Sequence, residues 1–331
     1  MSRNVAILMG GYSSEFEISV KSGEVVFETL IQNKNINVYK VIIEKDDWYH
    51  VDYKGSKFLL DKKNFEIIKK NEIVKFDIVF NTIHGEPGEN GEIQEYLERL
   101  NIKQTSSRSK EAKLTFNKTR CKNEVSKFGI LTPKSLVIKK GQIDKDDLII
   151  NNLNFPLFIK PNEGGSSFGI SRITKRDDII KSLKKCYKEN SDALIEEEIQ
   201  GREISVGVIF YNNEVTALPP TEIISHNEFF DYNAKYKGQS DEITPAELDE
   251  SKIKEVKSLA IKIYQKLNLR GFTRSDFILK NNKFYFLEVN TNPGLTKESI
   301  LPQQAKAAGI NINKLFESCL LYTSDAADDV I

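Results

Sequence analysis

One stretch near the C-terminal end constrains this chain more than any other part of the sequence. Residues 270–299 read RGFTRSDFILKNNKFYFLEVNTNPGLTKES. Two alternating apolar runs, 272–279 and 283–289, flank Asn281-Asn282, and an asparagine pair is typical of a tight hairpin turn. We therefore predict two adjacent antiparallel strands here.

Four polar side chains of this predicted hairpin can share one face. Side chains alternate along a strand, so Glu288 and Asn290 face the same way, and a fitting register brings Asp276 alongside them. Two carboxylates and an amide oxygen suit a hard cation such as Mg²⁺ that holds phosphates, rather than zinc or copper. Arg274 lies on the same face as Asp276 and adds a permanent cation. The alternative is a polar face exposed to solvent.

Length and charge narrow the class of protein. The chain of 331 residues is long enough for two or three domains with a sizeable core. Its 48 basic and 48 acidic residues give no net charge, which argues against nucleic acid or an anionic membrane as a partner. The apolar run 5–9 is too short for a signal sequence, and we expect no membrane span. Three scattered cysteines indicate a reduced, cytoplasmic location.

The N-terminal region has the pattern of an open α/β domain. Residues 4–9 predict a buried strand ending at Gly10-Gly11, and Ser13 or Ser14 is expected to cap a helix over residues 15–32. Strands near 37–43 and 76–82 follow. Functional loops are then expected at the carboxyl ends of the strands. A dinucleotide site is the alternative, but the full GxGxxG spacing is absent.

Changes of pattern along the chain predict three domains and a tail. Residues 1–104 form the N-terminal α/β domain, residues 105–198 a small α+β unit, and residues 199–322 a unit that carries the hairpin. The closing residues 323–331 are acidic and lack periodicity, so we expect a disordered or non-native tail there.

A glycine-rich loop, NEGGSSFG at 162–169, lies between two apolar strands. Glycines let backbone N–H groups approach a phosphate, and the hydroxyls of Ser166 and Ser167 add donors. Lys160, just before the loop, offers a charge to the same oxygens. The alternative is an ordinary hairpin loop. No GK[ST] follows, so this is not a Walker A loop.

An acidic run follows the next predicted strand. Glu196, Glu197 and Glu198 stand side by side before Ile199. Adjacent carboxylates repel one another, so the run implies either exposure to solvent or nearby donors. A charged surface segment is the alternative to a binding site.

Several motifs in one order carry a resemblance to a known family. They are GGYSSEFEIS at 10–19, HGEPGENG at 84–91, KPNEGGSSFG at 160–169, YNAKY at 232–236, and FTRSDFIL followed by LEVNTNPGLTKES in the hairpin region. Together they resemble the D-alanine–D-alanine ligases of the ATP-grasp superfamily. The resemblance implies a mixed α/β and α+β architecture, an ATP-grasp fold preceded by an open α/β domain.

The resemblance also implies roles for individual residues. The phosphates of ATP are expected on Lys118, Lys160, Ser166 and Ser167, and Mg²⁺, or Mn²⁺ in its place, on Asp276, Glu288 and Asn290. Adenine and ribose are expected beside Glu196, Glu197, Ile199 and Glu203, with Lys235 also at the nucleotide. Glu15, Ser166 and Tyr236 would form a hydrogen-bonded set that orients the first amino acid. His84 is expected near the first substrate. Arg274, Gly294 and Ser299 are expected at the second substrate and the oxyanion, although Ser299 could instead only cap a helix.

The reaction implied is ATP-dependent joining of two D-alanines through an acyl phosphate, for peptidoglycan synthesis. D-Alanine and ATP would be the small-molecule substrates, and a homodimer is implied. One alternative is a relative that joins D-alanine to D-lactate or another amine, and a second is a non-catalytic ATP-binding protein. Phe16, Asn90 and Glu95 depart from the family pattern, and we expect them around or behind the first amino-acid pocket.

Overall fold

The computed structural model describes residues 2–69, 72–141, 152–165, 168–189, 191–225 and 240–325. The side chains of residues 322–325 are outside that description. None of the helices among the described residues is long and apolar enough to cross a membrane.

The N-terminal region builds one large sheet. Its strands are β1 (Arg3–Gly10), β2 (Ile36–Ile43), β3 (Trp48–Val51), β4 (Lys57–Asp61), β5 (Glu66–Lys69), β6 (Glu72–Lys75), β7 (Ile78–Asn81) and β8 (Lys103–Gln104), in the spatial order β6-β5-β4-β3-β2-β1-β7-β8. The pairs β1–β2, β1–β7 and β7–β8 are parallel. Because β1 lies between parallel neighbours, both its faces are covered and its apolar run is continuous. Helices α1 (Phe16–Leu30) and α2 (Glu92–Arg99) contribute to the two core clusters that include this sheet.

A small antiparallel sheet follows. Its strands β9 (Ser135–Ile138), β10 (Leu157–Pro161), β11 (Ser171–Ile173) and β12 (Ala193–Glu197) lie in the order β11-β10-β12-β9. The preceding helices are α3 (Ser109–Phe116) and α4 (Lys118–Lys127), and α5 (Ile179–Cys186) packs on the sheet between two short 3₁₀ turns, Arg176–Asp178 and Tyr187–Glu189.

The third sheet carries the hairpin. It contains β13 (Arg202–Tyr211), β14 (Glu214–Ala217), β15 (Thr221–Ser225), β16 (Ser240–Ile243), β17 (Thr273–Lys280) and β18 (Lys283–Asn290), ordered β16-β15-β13-β17-β18 with β14 beside β13. Helices α6 (Glu250–Lys266), α7 (Ile300–Ala307) and α8 (Ile312–Asp325) complete this part of the chain. Parallel and antiparallel strands with helices packed on them confirm the expected mixed α/β and α+β class.

One apolar core joins the first and last parts of the chain. Val26 and Phe80 from the N-terminal region share a cluster with Phe272, Leu301 and Phe316. The ring of Phe80 lies 6.3 Å from that of Phe272 and 5.8 Å from that of Phe316. The N-terminal sheet is therefore held against the hairpin unit by buried aromatic contacts.

Two details of the expected helices were wrong. The N-cap of α1 is Glu15 rather than Ser13 or Ser14. The Ser13 hydroxyl donates to the His84 carbonyl at 2.9 Å and accepts from the Glu15 N–H at 3.2 Å, so it closes the turn before the helix instead. At the C-terminal end of the chain, α8 extends to Asp325, so its last residues fall within the range 323–331 that was expected to be a tail. Residues 326–331 lie outside the described part of the chain.

Candidate active site

A cavity of about 870 Å³ opens where the three sheets meet. Residues of the first sheet's loops, of the small sheet and of the hairpin all line it, and ligand sites are commonly found at such junctions. Its size suits a nucleotide and small substrates together. Most of the residues predicted from sequence to bind ligands meet in this one cavity.

The hairpin has the predicted geometry. Asn281 and Asn282 take φ values of 48° and 60°, as a tight two-residue turn with left-handed backbone requires. Asp276 lies opposite Glu288, and Arg274 lies opposite Asn290. All four side chains line the cavity, and Arg274 and Asp276 are buried, so these two do not lie on an open face exposed to solvent.

Asp276 is held by donors on every side. The Arg274 guanidinium donates from Nε to Oδ1 at 3.1 Å and from Nη2 to Oδ2 at 3.0 Å. Ser205 Oγ donates to Oδ1 at 2.6 Å, and Asn290 Nδ2 donates to Oδ2 at 3.3 Å. A carboxylate has about four acceptor sites, so this set fills them.

A hard divalent cation fits these residues on their chemistry. No group of three or more His, Cys, Asp and Glu side chains suited to a metal occurs within the described residues, so a cation here depends on Asn290 as well as the two carboxylates. A half-turn of the Asn290 amide frees one Asp276 lone pair and presents an oxygen in place of the nitrogen. The donor set is then all oxygen, as Mg²⁺ prefers.

Lys118 connects the glycine loop to the hairpin. It begins α4, whose N-cap Asn117 accepts from the Arg120 N–H at 3.0 Å. The Lys118 ammonium donates to the Gly164 carbonyl at 2.5 Å and lies 3.4 Å from Glu288 Oε2. This buried cation is therefore not the solvated helix residue that its sequence context alone would indicate.

Glu196 forms a buried ion-paired triad with two lysines. Its Oε2 lies 2.5 Å from Lys122 Nζ, and its Oε1 pairs with Lys160 Nζ. Burial alone would raise the pKa of Glu196, but the two ammonium groups outweigh burial and lower that pKa to about 2. Burial lowers the pKa of Lys122, which Glu196 only partly offsets.

The rest of the acidic run also has partners. Glu198 accepts two hydrogen bonds from Arg172, each 2.8 Å long. Glu197 Oε1 accepts from the Asn154 backbone N–H at 2.9 Å. A solvated charged surface segment was therefore the wrong alternative. Ile199 and Glu203 also line the cavity.

Two predicted residues of the first domain reach the cavity. Glu15 is buried at the start of α1, and a Cβ added at Gly165 would lie only 2.9 Å from its Oε2, so it adjoins the glycine loop. His84 is buried as well, and its Nδ1 lies 2.9 Å from the Asn292 carbonyl oxygen. Because a carbonyl only accepts, Nδ1 carries a proton, and Nε2 faces Ser22 Oγ at 3.2 Å.

The sequence did not single out Glu89, yet it lines the cavity beside Glu15 and His84. Its Oε2 accepts from the Gly85 N–H at 2.7 Å. Burial, helped by the charge of Glu15, raises the pKa of Glu89 to about 8. The turn-rich motif at 84–91, which contains Glu89, was the sequence signal that could have identified this residue. The burial of Glu89, however, depends on packing against distant parts of the chain.

The turn after β18 supplies the remaining predicted residues. Gly294, Thr296 and Ser299 line the cavity. A Cβ at Gly294 would lie 2.8 Å from Ser299 Oγ, so a larger residue would crowd that hydroxyl. Ser299 is the N-cap of α7 but makes no side-chain cap hydrogen bond, and its Oγ instead lies 2.8 Å from Thr296 Oγ1.

Four predicted residues, Ser166, Ser167, Lys235 and Tyr236, lie outside the described part of the chain. Phe16, Asn90 and Glu95 are not among the described residues that line the cavity, so their expected place around or behind the first amino-acid pocket stays a prediction. Asn90 Oδ1 accepts from the Glu92 N–H at 3.1 Å, and Glu95 pairs with Lys113 at the surface.

Comparisons with known proteins cover nearly the whole chain. Family models described as D-ala D-ala ligase N-terminus and D-ala D-ala ligase C-terminus match residues 4–107 and 125–321. A D-alanine–D-alanine ligase of Flavobacterium johnsoniae is 43% identical over 318 residues, which is 96% of this chain and 98% of the relative. One from Christiangramia forsetii is 43% identical over 320 residues, 97% of this chain and 98% of the relative.

Solved structures agree with these matches. The VanG D-Ala:D-Ser ligase from Enterococcus faecalis superposes with a TM-score of 0.87 at 28% identity, covering 98% of this chain and all of that one. The D-alanine–D-alanine ligase from Bacillus anthracis superposes with a TM-score of 0.79 at 30% identity, covering 97% of each chain.

Proposed function

The chain belongs to the D-alanine–D-alanine ligase family, and we propose on that premise that it joins two D-alanines with ATP to supply peptidoglycan synthesis. The observation that carries this proposal is the meeting of hairpin, lysines and first-domain residues in one cavity. A carboxylate is a poor acyl donor because hydroxide leaves badly. Transfer of the ATP γ-phosphoryl group to the first D-alanine makes an acyl phosphate, which an amine can attack.

The nucleotide is assigned to the end of the cavity beside the small sheet. Lys118 and Lys160 are buried cations that line the cavity there, as phosphate binding requires. Adenine is placed beside Glu196, Glu197 and Ile199, and the ribose hydroxyls beside Glu203. Since Glu197 already accepts hydrogen bonds from Asn154, adenine contact at that position would rest on backbone groups. Ser166, Ser167 and Lys235 complete the proposed nucleotide set.

Asp276, Glu288 and Asn290 would hold Mg²⁺, or Mn²⁺ in its place. The cation would draw charge from the phosphate oxygens during phosphoryl transfer. The protein presents the oxygen ligands on one hairpin, and two hydrogen bonds from Arg274 hold the Asp276 carboxylate in place. Lys118 keeps the glycine loop near Glu288, which brings phosphate donors and metal ligands within reach of each other.

The first D-alanine is assigned to the side of the cavity formed by the N-terminal domain. Glu15 would pair with the substrate ammonium, in the proposed set with Ser166 and Tyr236, and His84 lies next to it in the lining. His84 donates to the Asn292 carbonyl, so it also links this domain to the turn after the hairpin.

Peptide-bond formation is assigned to Arg274, Gly294 and Ser299. The amine of the second D-alanine attacks the acyl phosphate, and a tetrahedral oxyanion forms. The Arg274 guanidinium and the backbone near Gly294 would stabilise that charge, while the Ser299 hydroxyl would bind the second carboxylate. The attack itself forms the carbon–nitrogen bond. As the tetrahedral intermediate collapses, the carbon–oxygen bond to phosphate breaks, phosphate leaves with that bonding pair, and the nitrogen loses a proton.

Three further points are proposals of the same kind. The sheet memberships support domains at 1–104, 105–198 and 199–322, although the shared core means that the first and third are tightly packed. Cys121, Cys186 and Cys319 are buried free thiols, which suits a reducing cytoplasm. A homodimer is proposed from the family alone, and light scattering coupled to gel filtration tests it.

The function is tested by a coupled ADP-release assay with defined substrate pairs. D-Alanine alone with ATP and Mg²⁺ should release ADP and phosphate and form the dipeptide. Adding D-serine or D-lactate should add little mixed product, and L-alanine none. Mixed product in preference to the dipeptide would support a D-alanine–D-lactate or other amine ligase. ATP binding without ADP release under every pair would support the non-catalytic alternative.

A further inference from the structure

Lys122 is a buried cation to which no step above assigns a role. It lies on α4, four residues after Lys118, and positions four apart share one face of a helix. Lys118 lines the cavity, whereas Lys122 lies behind the described lining. Its side chain is only 4% exposed, so a solvent-facing role is excluded.

The contacts of Lys122 all lead to one carboxylate and its surroundings. Its ammonium lies 2.5 Å from Glu196 Oε2 and 3.4 Å from Ser135 Oγ. Lys160 occupies the other oxygen of the same carboxylate, Oε1. Glu196 and Lys160 both line the cavity, so Lys122 touches the ligand space only through Glu196.

The charge balance of this triad depends on Lys122. The two ammonium groups and the one carboxylate of the triad carry a net positive charge. This charge lies at the end of the cavity that is proposed to bind the nucleotide. Without Lys122, Glu196 would pair with Lys160 alone, and Lys160 would have to break that ion pair to reach a phosphate. Because charges interact strongly in a dry interior, that exchange would oppose nucleotide binding.

We infer that Lys122 is a positioning residue for the nucleotide: by sharing Glu196 with Lys160, it holds that carboxylate in place and leaves Lys160 able to bind the ATP phosphates. This inference rests on the proposed placement of the nucleotide beside Lys160 and Glu196. It assigns no contact between Lys122 and the nucleotide.

The primary test compares ADP affinity, by titration calorimetry on the whole chain, with steady-state kinetics. Lys122→Met should raise the ADP Kd and the ATP KM about tenfold or more, because the triad loses its net positive charge. At saturating ATP, kcat and the D-alanine KM should stay within about threefold. Lys122→Arg keeps the charge and should stay near wild type.

A second-site variant separates charge balance from simple packing. Lys122→Met together with Glu196→Gln removes both charges and leaves Lys160 as a free cation. The double variant should bind ADP more tightly than Lys122→Met alone, by about threefold or more. It also leaves no buried carboxylate without a cationic partner. If Lys122→Met does not fold, the double variant and Lys122→Arg carry the test.

The matched control is Lys127→Met, which removes an exposed lysine of the same helix.

The outcomes distinguish this inference from the proposed function. Wild-type ADP affinity in Lys122→Met, with weakened affinity in Lys160→Met, would show that Lys122 only packs the interior. A double variant no tighter than Lys122→Met would likewise overturn the inference. If Lys160→Met also binds ADP as the wild type does, the nucleotide lies elsewhere and the proposed site itself fails.

Discussion

The Arg274 guanidinium makes two hydrogen bonds to Asp276, and the same side chain lines the cavity where peptide-bond formation is proposed. Removing it outright would leave a buried carboxylate without its cation, which costs stability as well as activity. Lysine keeps the charge but not the planar two-pronged geometry, so Arg274→Lys is the cleaner probe of the proposed role.

We predict that Arg274→Lys lowers kcat about a hundredfold, because one well-placed oxyanion donor contributes roughly 3 kcal/mol. The ADP Kd measured without a divalent cation should stay within about twofold, since the guanidinium is proposed to act on the acyl group and not on the nucleotide. Steady-state kinetics and calorimetry measure the two quantities. Arg172→Lys is the control, because it alters another two-pronged pair, with Glu198, on the small sheet. Wild-type kcat in Arg274→Lys would contradict the role.

Glu89 gives a prediction about pH. Burial, with the charge of Glu15, raises its pKa from 4.5 to about 8 on folding. The folded state therefore disfavours the ionised carboxyl, and the free energy of unfolding should fall as pH rises from about 4.5 to about 8, by a few kcal/mol in total. Below that window the acid is protonated in both states and contributes no pH dependence.

In Glu89→Gln this fall is absent. The stability of the variant relative to wild type should therefore increase between about pH 5 and about pH 9, as measured by thermal unfolding across that range. Glu250→Gln, which changes an exposed carboxylate on α6, should leave the wild-type profile unchanged. Parallel pH profiles for wild type and Glu89→Gln would show that Glu89 is not held in its neutral form.

At the scale of elements, the hairpin was predictable because its signals are local. The Asn281-Asn282 turn sets the register, and alternation then places the acidic and amide groups on one face. The Glu196 triad was not predictable in the same way. Lys122 and Glu196 stand 74 residues apart. Only the long-range folding that packs α4 on the hairpin sheet and places Lys122 beside β12 brings them together. The expected place of single departures such as Phe16 and Glu95, around or behind the first amino-acid pocket, stays a prediction, because neither residue is among the described lining of the cavity.

The turn itself can be tested. Asn282→Val should lower the free energy of unfolding by about 1–2 kcal/mol, because a β-branched residue is strained at positive φ, whereas Asn282→Gly should be neutral or stabilising. The chain offers a matched control in Asn212-Asn213, a second asparagine pair with φ values of 51° and 62° between β13 and β14. Asn213→Val should cost a similar amount in thermal denaturation. An undiminished melting temperature in both valine variants would contradict the proposed turn strain.

At the scale of the whole molecule, the cavity exists because distant parts of the chain pack together. Phe80, Phe272 and Phe316 join the first and last regions through one core. The Asn292 side chain donates to the Ile83 and Gly88 carbonyls, each at 3.1 Å, so the turn after the hairpin is fastened to the loop carrying His84 and Glu89. Sequence motifs identified most of the participants. Their burial, pairing and charge balance depend on this long-range packing.

The most direct test of this account is a crystal structure of the enzyme with ADP, D-alanine and Mn²⁺, in which anomalous scattering locates the cation. We predict one Mn²⁺ peak bound by Asp276, Glu288 and Asn290, with the ADP phosphates beside Lys118 and Lys160. A cation or nucleotide bound elsewhere, with those side chains turned away from it, would contradict the account.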